Sequence, residues 1–381
     1  MPLTAVDLAG LYAQGNHPAH IDMSNAAEPW IGVIGVGGWG TTQADRTVDL
    51  GGQIIAGADP NPDAREAFEE QFDARTVDDF EKLPYDDLDG VIIGTPNKFH
   101  APAAVHALER NVAVHVAKPM ADAVASAEDM LEAADSSDAW GMVGFTSRFT
   151  PGVELFRAYH GDGAFGEISH VEIQTIRRRG IPGKGSWFCN AELAGGGALY
   201  DIGVHSIDRA MYMLDFPEPT EITGVARIQL GDRLDYADPD GWNRNWELTD
   251  EPFTVDDSTS GFVRFASGMT MSLEVAWATN RPPSRTTRIR GTDGGAVLGG
   301  EGDLEINTTA QHGTDHYVDT TLRGELEHTG QAGAAAVFLD GLRASDPPGT
   351  CTFEEGLLTQ RLMDGLYVSS DRGQAVPFDD I

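Results

Sequence analysis

The sequence predicts an α/β protein with a doubly wound parallel sheet, followed by an α+β domain whose large sheet is open and mostly antiparallel. Up to about residue 150, short runs rich in valine and isoleucine alternate with helical segments, which is typical of a parallel sheet covered on both faces. A glycine-rich turn follows the first of these runs, and β-rich segments with hairpin-like breaks cluster after residue 215. The 381 residues are enough for two domains of ordinary size.

The first domain is predicted over residues 29–149, after an N-terminal extension at residues 1–28. Its strands are predicted in the apolar runs WIGVIGV, QIIAGAD, GVIIGT, VAVHVA and WGMVGF. The helices between them are predicted at 40–50, 62–72, 100–110 and 122–134. Strands and helices alternate throughout this region, so we expect consecutive βαβ units.

The second domain is predicted over residues 150–381. Helices are expected at 152–160, 198–214, 331–343 and 354–370, and residues 231–252 are expected to form a long surface excursion. Strands are expected in GEISHVEIQTIRRRG, EITGVARIQL, STSGFVRFASGMTMSLEVAWA, RTTRIRGTDGGAVLG and GDLEINT. The stretches FVRFA and MTMSLEVAWA are expected to offer apolar side chains to both faces of the sheet. One helical layer cannot cover both faces, so we expect a homo-oligomer, either a dimer or a tetramer.

The chain is strongly acidic, with 60 Asp and Glu residues against 26 Lys and Arg residues and a formal net charge of -34. Lysine occurs only at positions 82, 98, 118 and 184. This composition indicates adaptation to high salt, where screening suppresses repulsion between surface carboxylates. It argues against a nucleic-acid partner, which would require a basic face. No stretch is apolar enough to span a membrane, and the N-terminal MPLTAVDLAGLYAQG has an acid where a signal peptide would be apolar, so we expect a cytoplasmic protein.

The turn after the first predicted strand has the spacing GxGxxG, with Gly35, Gly37 and Gly40 at the start of a helix. Such glycines allow a tight turn and let the backbone approach a pyrophosphate at a helix N-terminus. Asp59 ends the second strand, where its carboxylate would bind the adenosine ribose hydroxyls and repel a 2′-phosphate. NAD is therefore the expected cofactor, and NADP stays possible because Arg65 is near. The cofactor residues predicted in this part of the chain are Gly35, Gly37, Gly38, Trp39, Gly40 and Asp59.

Two further strand ends carry candidate cofactor residues, because ligands of such sheets bind at the carboxyl ends of the strands. The predicted set is Thr95, Pro96, Asn97 and His100 after the third strand and Lys118 after the fourth. Because the chain has only four lysines, Lys118 at a strand end beside the predicted cofactor site indicates a functional role and not a solvated surface residue. A cis peptide between Lys118 and Pro119 would aim the ammonium group inward.

The stretch GGGALYDIGVHSID places Asp201, His205 and Asp208 along one stripe of a predicted helix. One interpretation is structural, with Asp201 near the positive helix end and Asp208 paired with an arginine. A second interpretation is a metal site made by these three side chains, for which HGTDH at 312–316, read as a surface loop, is another His-Asp cluster. The third interpretation is catalysis.

Basic and aromatic residues before this helix are the candidate substrate contacts. The arginines of RRRGIPGKGSWF could equally form ion pairs or an oligomer contact. An indole in this stretch could stack on a sugar ring. The candidates are Arg148, Arg177, Arg179, Lys184 and Trp187.

The motifs GVIGVGGWG, DGVIIGTPNKFH, HVAKPM, MVGFTSRFTPG and GGGALYDIGVHSID together resemble the glucose-fructose oxidoreductase and inositol dehydrogenase family, Gfo/Idh/MocA. The resemblance runs from about residue 30 to the C-terminus. It implies an NAD(P)-dependent oxidoreductase acting on a secondary alcohol or ketone of a sugar, polyol or sugar derivative, with Lys118, Asp201 and His205 as catalytic residues. Ala117 departs from the family pattern, which has glutamate before Lys-Pro.

Under this interpretation, His205 is the general acid/base because its usual pKa lies near neutrality. Lys118 would stabilise the developing alkoxide, and Asp201 would hold a substrate hydroxyl or orient His205. Two other classes stay open: an NAD-dependent glycosidase that oxidises its substrate transiently, and a regulatory protein that has lost catalysis.

Overall fold

The first of two sheets in the computed structural model is parallel and has six strands in the order β3-β2-β1-β4-β5-β6. The structure describes residues 28–183, 185–233, 235–239, 253–299 and 302–381. Nearly all of the predicted N-terminal extension, Lys184 and much of the excursion expected at 231–252 lie outside these ranges. The strands are β1 (Trp30–Ile34), β2 (Gln53–Ala58), β3 (Arg75–Val77), β4 (Gly90–Ile93), β5 (Ala113–Val116) and β6 (Gly141–Val143).

Helices connect these strands, which confirms the predicted doubly wound topology. They are α1 (Gly38–Asp49), α2 (Pro62–Phe72), α3 (His100–Leu108) and α4 (Val124–Asp135). Local sequence explains α2, which starts with a proline after Asn61, whose side chain accepts the N–H of Asp63. The short strand β3 was not predicted, because its three residues carry no periodic signal.

The second sheet has nine strands in the order β14-β13-β12-β11-β7-β10-β9-β8-β15. Its strands are β7 (Ile168–Ile176), β8 (Pro219–Arg227), β9 (Ser258–Phe265), β10 (Thr270–Ala276), β11 (Ser284–Gly291), β12 (Gly295–Leu298), β13 (Leu304–His312), β14 (Thr314–Leu322) and β15 (Val376–Pro377). β7 and β10 are parallel, and the other neighbouring pairs are antiparallel. The predicted fold class is therefore confirmed.

Five helices are described after β6: α5 (Pro151–Gly161), α6 (Ala191–Ala194), α7 (Val204–Met213), α8 (Gly330–Ala344) and α9 (Phe353–Arg372). A π-helical turn over Leu199–Gly203 leads directly into α7, where a continuous helix was predicted. No helix within the described ranges is both long and apolar enough to cross a membrane.

The two faces of the second sheet differ in polarity. In β10, Met271, Leu273 and Val275 are buried toward the helices, whereas Ser272 and Glu274 lie on the other face and are partly exposed. On that outer face Arg288 pairs with Glu172 across neighbouring strands, at 3.0 Å. The expectation that these strands offer apolar side chains to both faces holds only in part. Alternation sends most apolar residues to the inner face, and Phe262 of β9 lies on the outer face beside His170.

The C-terminal helices return to the first sheet. Phe338 of α8 packs against His115 of β5, with 5.3 Å between ring centroids. Arg343 of α8 donates to the carbonyl oxygen of Leu50 at 2.7 Å, and the ring of Phe353 contacts the backbone at Gly141. The division of the chain into domains at residues 29–149 and 150–381 stays a prediction. The helix α8, which lies in the second of these ranges, packs on the first sheet.

Candidate active site

The glycine-rich turn joins β1 to the N-terminus of α1. Gly35 has a φ of 84°, and a Cβ there would lie 2.8 Å from the carbonyl carbon of Gly94. A Cβ on Gly40 would overlap the carbonyl oxygen of Gly35. Gly37 and Gly38 are exposed, and a Cβ on either would meet no described atom within 4 Å. The turn therefore leaves open space before the first N–H groups of a helix, which is the arrangement that binds a pyrophosphate.

Asp59 lies at the carboxyl end of β2, beside this turn. Its Oδ2 accepts the backbone N–H of Val36 at 3.1 Å, and its Oδ1 accepts that of Asn61 at 2.9 Å. Arg65 donates to the carbonyl oxygens of Asp59 and Pro60, at 2.8 and 3.1 Å. The carboxylate is thus fixed at the position where an adenosine ribose would bind, and the residues present fit a bound NAD.

Buried side chains in and after the loop that follows β4 contact the backbone of other loops around the site. Asn97 is buried and donates through Nδ2 to the carbonyl oxygen of Ala194, at 2.7 Å. The two ring nitrogens of the fully buried His100 lie 3.0 Å from the carbonyl oxygens of Thr95 and Pro119. Burial lowers the pKa of His100. His100 therefore lies between two loops and bridges them, and its contact with the cofactor stays a prediction.

Three other predicted cofactor residues lie in this loop or beside it. The hydroxyl of Thr95 is buried and has no hydrogen-bond partner among the described residues, so it is available to a bound group. The half-buried ring of Trp39 packs edge-on against His115, with 5.7 Å between centroids. Pro96 lies between Thr95 and Asn97 and is partly exposed.

Lys118 and Asp201 join the two sheets at the centre of the site. The Lys118 Nζ donates to Oδ1 of Asp201 at 2.9 Å and to the backbone oxygen of Asp201 at 2.6 Å. The Lys118–Pro119 peptide is cis, as the sequence suggested. Ala117 has no side chain that could reach this lysine, and the carboxylate is supplied by Asp201.

Trp277, directly after β10, holds the other oxygen of Asp201. Its indole N–H donates to Oδ2 at 2.9 Å, and its side chain is fully buried. Burial alone would raise the pKa of Asp201, but the charge of Lys118 and its hydrogen bond outweigh burial and lower that pKa. Asp201 is therefore an ionised, oriented carboxylate. Sequence reasoning missed Trp277, whose end-of-strand position was the available signal.

His205 lies one turn after Asp201. Its Nδ1 is buried without a hydrogen-bond partner in the described part of the chain. Burial, followed by the charge of Lys118, lowers the pKa of His205 well below its usual value, although Asp201 opposes this shift. The imidazole is therefore neutral near pH 7 and able to accept a proton.

The start of this helix is anchored by Asp256. Its carboxylate accepts the N–H of Gly197 at 2.8 Å, the N–H of Leu199 at 3.2 Å and the hydroxyl of Tyr367 at 2.5 Å. A Cβ on Gly197 would overlap the backbone oxygen of Asp256, so glycine is required there. The glycine run thus permits the close approach that sets the position of Asp201 and His205.

Asp208 does not share the site with Asp201 and His205, which corrects the single stripe expected from the sequence. It is fully buried and pairs with Arg148 through Oδ1 at 2.5 Å and Oδ2 at 3.0 Å. Arg148, whose side chain is 1% exposed, also pairs with Glu355 at 2.5 Å. The expectation that Arg148 lines a substrate pocket is likewise corrected, because its buried guanidinium is directed to the carboxylates of Asp208 and Glu355.

The other substrate candidates have different surroundings. The Nη1 of Arg177 lies 3.8 Å from Oδ2 of Asp201, at the site. Arg179 donates to the carbonyl oxygens of Ala237 and Thr279 and thereby ties two loops together. The ring of Trp187 stacks on Phe188 with 3.8 Å between centroids.

The geometry disfavours the metal interpretation, because Asp208 is directed to Arg148. No group of three or more potential metal ligands from His, Cys, Asp and Glu occurs within the described ranges. The HGTDH stretch is the exposed end of the β13–β14 hairpin, where a loop was expected.

Two family models match this chain. Residues 30–145 match the model of an oxidoreductase family with an NAD-binding Rossmann fold, and residues 153–297 match the GFO/IDH/MocA C-terminal domain. D-glucoside 3-dehydrogenase of Escherichia coli is 27% identical over 76% of this chain and 79% of its own length. Levoglucosan dehydrogenase of Pseudarthrobacter phenanthrenivorans is 31% identical over 65% of this chain, and the matched part spans 64% of that relative.

A solved structure shares the fold over nearly the whole chain. It is a levoglucosan dehydrogenase in complex with NADH and levoglucosan, and it superposes with a TM-score of 0.79 at 22% identity. The match covers 92% of this chain and 100% of that one.

Proposed function

This chain belongs to the GFO/IDH/MocA oxidoreductase family, and from that premise we propose that it is an NAD-dependent dehydrogenase of a sugar, a polyol or a sugar derivative. The reaction transfers hydride between the nicotinamide and a carbon that bears a secondary hydroxyl or ketone. The observation that carries the proposal is the Lys118–Asp201 contact at 2.9 Å, with His205 one turn farther along the helix.

When bound, NAD supplies the acceptor for the hydride. Gly37, Gly38 and the N-terminus of α1 would hold its pyrophosphate, and Asp59 would accept from its ribose hydroxyls. A 2′-phosphate would face the Asp59 carboxylate, so the site favours NAD over NADP. The dinucleotide thus binds at the carboxyl ends of the first sheet's strands.

The proton of the substrate hydroxyl goes to His205, whose neutral imidazole suits a general base. As the O–H bond breaks, charge develops on the oxygen, and the Lys118 ammonium donates to that oxygen and stabilises it. Asp201 fixes the ammonium in place through Oδ1. In the reverse direction, His205 returns the proton to the alkoxide.

The proposal is tested by incubating the protein with NAD or NADP and a panel of sugars, polyols and glycosides at high salt, while following the absorbance of the reduced cofactor. We expect net reduction of NAD with at least one polyhydroxylated substrate. A glycosidase that uses transient oxidation would release product without net reduction. Cofactor binding without either outcome, across the panel, would contradict the proposed activity.

We also propose that the protein is a cytoplasmic homo-oligomer adapted to high salt. The support is its net charge of -34 and the open outer face of the nine-stranded sheet. That face carries paired charges such as Arg288 and Glu172, so a contact between copies there would be largely polar. Light scattering in multimolar salt tests the oligomer, and a monomer would contradict it.

A further inference from the structure

The inner face of the second sheet brings arginines to the catalytic helix. The register of β11 on β7 places Arg285 opposite Thr175. The Thr175 hydroxyl lies 2.6 Å from that of Ser206, which directly follows His205. Arg177 is two residues beyond Thr175 on the same face, near Asp201. Arg285 and Arg177 therefore approach His205 and Asp201 from the second sheet, and the charge of Arg285 acts on both His205 and Arg177.

A third arginine lies beneath Arg285. Arg209 follows His205 by one helical turn and is 5% exposed. Its Nη2 donates to the hydroxyl of Thr287 at 2.9 Å, and its Nε is buried with no hydrogen-bond partner in the described ranges. Thr287 is two residues from Arg285 on the same face of β11. Burial, followed by the charge of Arg285, lowers the pKa of Arg209 to about 10.

At this end of the site, the cationic side chains outnumber the carboxylates that pair with them. Lys118 and Arg177 share the carboxylate of Asp201. Arg285 and Arg209 form no ion pair with any described carboxylate, and Asp208, which attracts Arg209, already binds Arg148. Acidic side chains are more than twice as numerous as basic ones in this chain, yet none in the described ranges pairs with these two arginines. Of these two arginines, Arg209 is buried and Arg285 is exposed. A buried charge such as that of Arg209 is costly without a partner, whereas the exposed guanidinium of Arg285 is accessible to a ligand.

We infer that Arg285, supported by Arg209 from beneath and Arg177 beside it, binds an anionic group of the substrate. The substrate class is then a sugar or polyol derivative that carries a carboxylate or a phosphate, with its reacting hydroxyl at His205. This inference rests on the proposed function and narrows its substrate. Guanidinium groups suit both anions because their N–H donors match paired oxygens.

The experiment compares D-glucose with D-glucuronate and D-glucose 6-phosphate, which differ in their charged group. Wild type, Arg285→Gln, Arg285→Lys and Arg290→Gln are assayed for kcat/KM with NAD at one fixed salt concentration. Arg290 is the matched control, because it is an exposed arginine of the same strand on the outer face. Binding of the three compounds to each protein saturated with NADH is measured by calorimetry, so that the result does not depend on turnover.

We expect wild type to prefer at least one anionic compound over glucose by tenfold or more, in kcat/KM or in affinity. Arg285→Gln should reduce that preference by about tenfold or more, the usual loss of a charged hydrogen bond. Arg285→Lys should retain part of it, and Arg290→Gln all of it. The preferred compound distinguishes a carboxylate from a phosphate.

Two outcomes would overturn the inference. One is a preference for glucose or equal use of all three compounds, and the other is an anion preference that survives Arg285→Gln. In both, NAD reduction with a neutral compound would leave the proposed function intact. If none of the three compounds is oxidised while NADH binds, calorimetry still decides the inference, and the broader panel of sugars, polyols and glycosides decides the proposed function.

Discussion

Trp277 donates its indole N–H to Oδ2 of Asp201 at 2.9 Å, so the carboxylate that holds Lys118 is itself held from the second sheet. The lysine comes from the first sheet and the indole from the second. Asp201 is thus fixed between the two layers, and the position of the ammonium group depends on both. The indole is a positioning group, because it acts through Asp201.

Replacing Trp277 with phenylalanine keeps an aromatic ring and removes the N–H donor. We expect kcat to fall by about 10- to 100-fold, since a hydrogen bond to a charged group is worth about 1.5–3 kcal/mol, while NADH affinity stays near that of wild type. Steady-state kinetics and NADH fluorescence titration measure these effects. Trp140→Phe, in a ring contact with Phe338 away from the site, is the control. An unchanged kcat in Trp277→Phe would show that Lys118 and Arg177 orient Asp201 without the indole.

His205→Ala should reduce turnover by about 10²–10⁴-fold, the usual contribution of a positioned acid or base. Lys118→Ala should be comparably damaging, because it removes the charge that faces the reacting oxygen. The double variant should lose far less than the product of the two effects, since both groups act on one oxygen. NAD binding and a cooperative thermal transition must be present in each variant. Fully multiplicative losses would mean that the two side chains act independently.

Asp59→Ser should raise the affinity for NADP relative to NAD. The substitution removes the negative charge that faces a 2′-phosphate, as well as the acceptors for the N–H groups of Val36 and Asn61. Asp59→Asn separates the two effects, because the amide keeps one acceptor without the charge. The ratio of dissociation constants for the two cofactors is the measurement. Tighter NADP binding by wild type would contradict the role of Asp59.

Most elements of the first domain follow from periodicity, because each predicted strand is a short apolar run, and β3 is the exception. The predicted helix at 62–72 agrees with α2 (Pro62–Phe72), whose Asn61 cap and N-terminal proline are visible in the sequence. The glycines of the dinucleotide turn could likewise be predicted from the sequence, because the GxGxxG spacing meets the backbone requirements of a tight turn before a helix.

The contacts between the side chains of the site could not be predicted from local sequence patterns. Asp201 and Trp277 are 76 residues apart, and Arg148 and Glu355 are 207 apart, so no local pattern relates them. The prediction that Asp201, His205 and Asp208 share one stripe required a regular α-helix. A π-helical turn precedes α7 and rotates the side chains of its residues relative to those of α7. Helical periodicity therefore found the right helix, and for Asp208 the structural interpretation, an ion pair with an arginine, is the one that the contact with Arg148 supports.

The buried pair of Arg148 and Asp208 should contribute to stability and not to the reaction. Arg148→Met would leave Asp208 fully buried without its main partner, and breaking such a pair costs about 3–5 kcal/mol. Asp208→Asn should cost less, because Arg148 keeps Glu355. Denaturant unfolding measures both, and kcat of the folded fraction should stay within a few-fold of wild type. Loss of a bound metal from Asp208→Asn, with activity restored by added metal, would revive the metal interpretation.

His115 should lower the free energy of unfolding of the protein at mildly acidic pH. Its imidazole is fully buried between Trp39 and Phe338, and neither ring nitrogen has a hydrogen-bond partner in the described ranges. Burial lowers the pKa of His115 to about 3, from 6.5 for a free histidine. The unfolded chain therefore binds a proton that the folded chain excludes between these two pH values, so stability falls as the pH drops through this interval.

At pH 5 this single group accounts for a loss of about 2 kcal/mol relative to neutral pH, from about 1.4 kcal/mol per pH unit. His115→Leu removes the titrating group at similar volume, so its free energy of unfolding should fall less than that of wild type between pH 7 and pH 5. His316→Leu is the control, because His316 is exposed on the β13–β14 hairpin and its substitution should leave the wild-type slope unchanged. The measurement is denaturant unfolding at several pH values in constant salt. Parallel curves for wild type and His115→Leu would mean that His115 binds its proton in the folded protein at the same pH as in the unfolded chain, which would contradict the prediction.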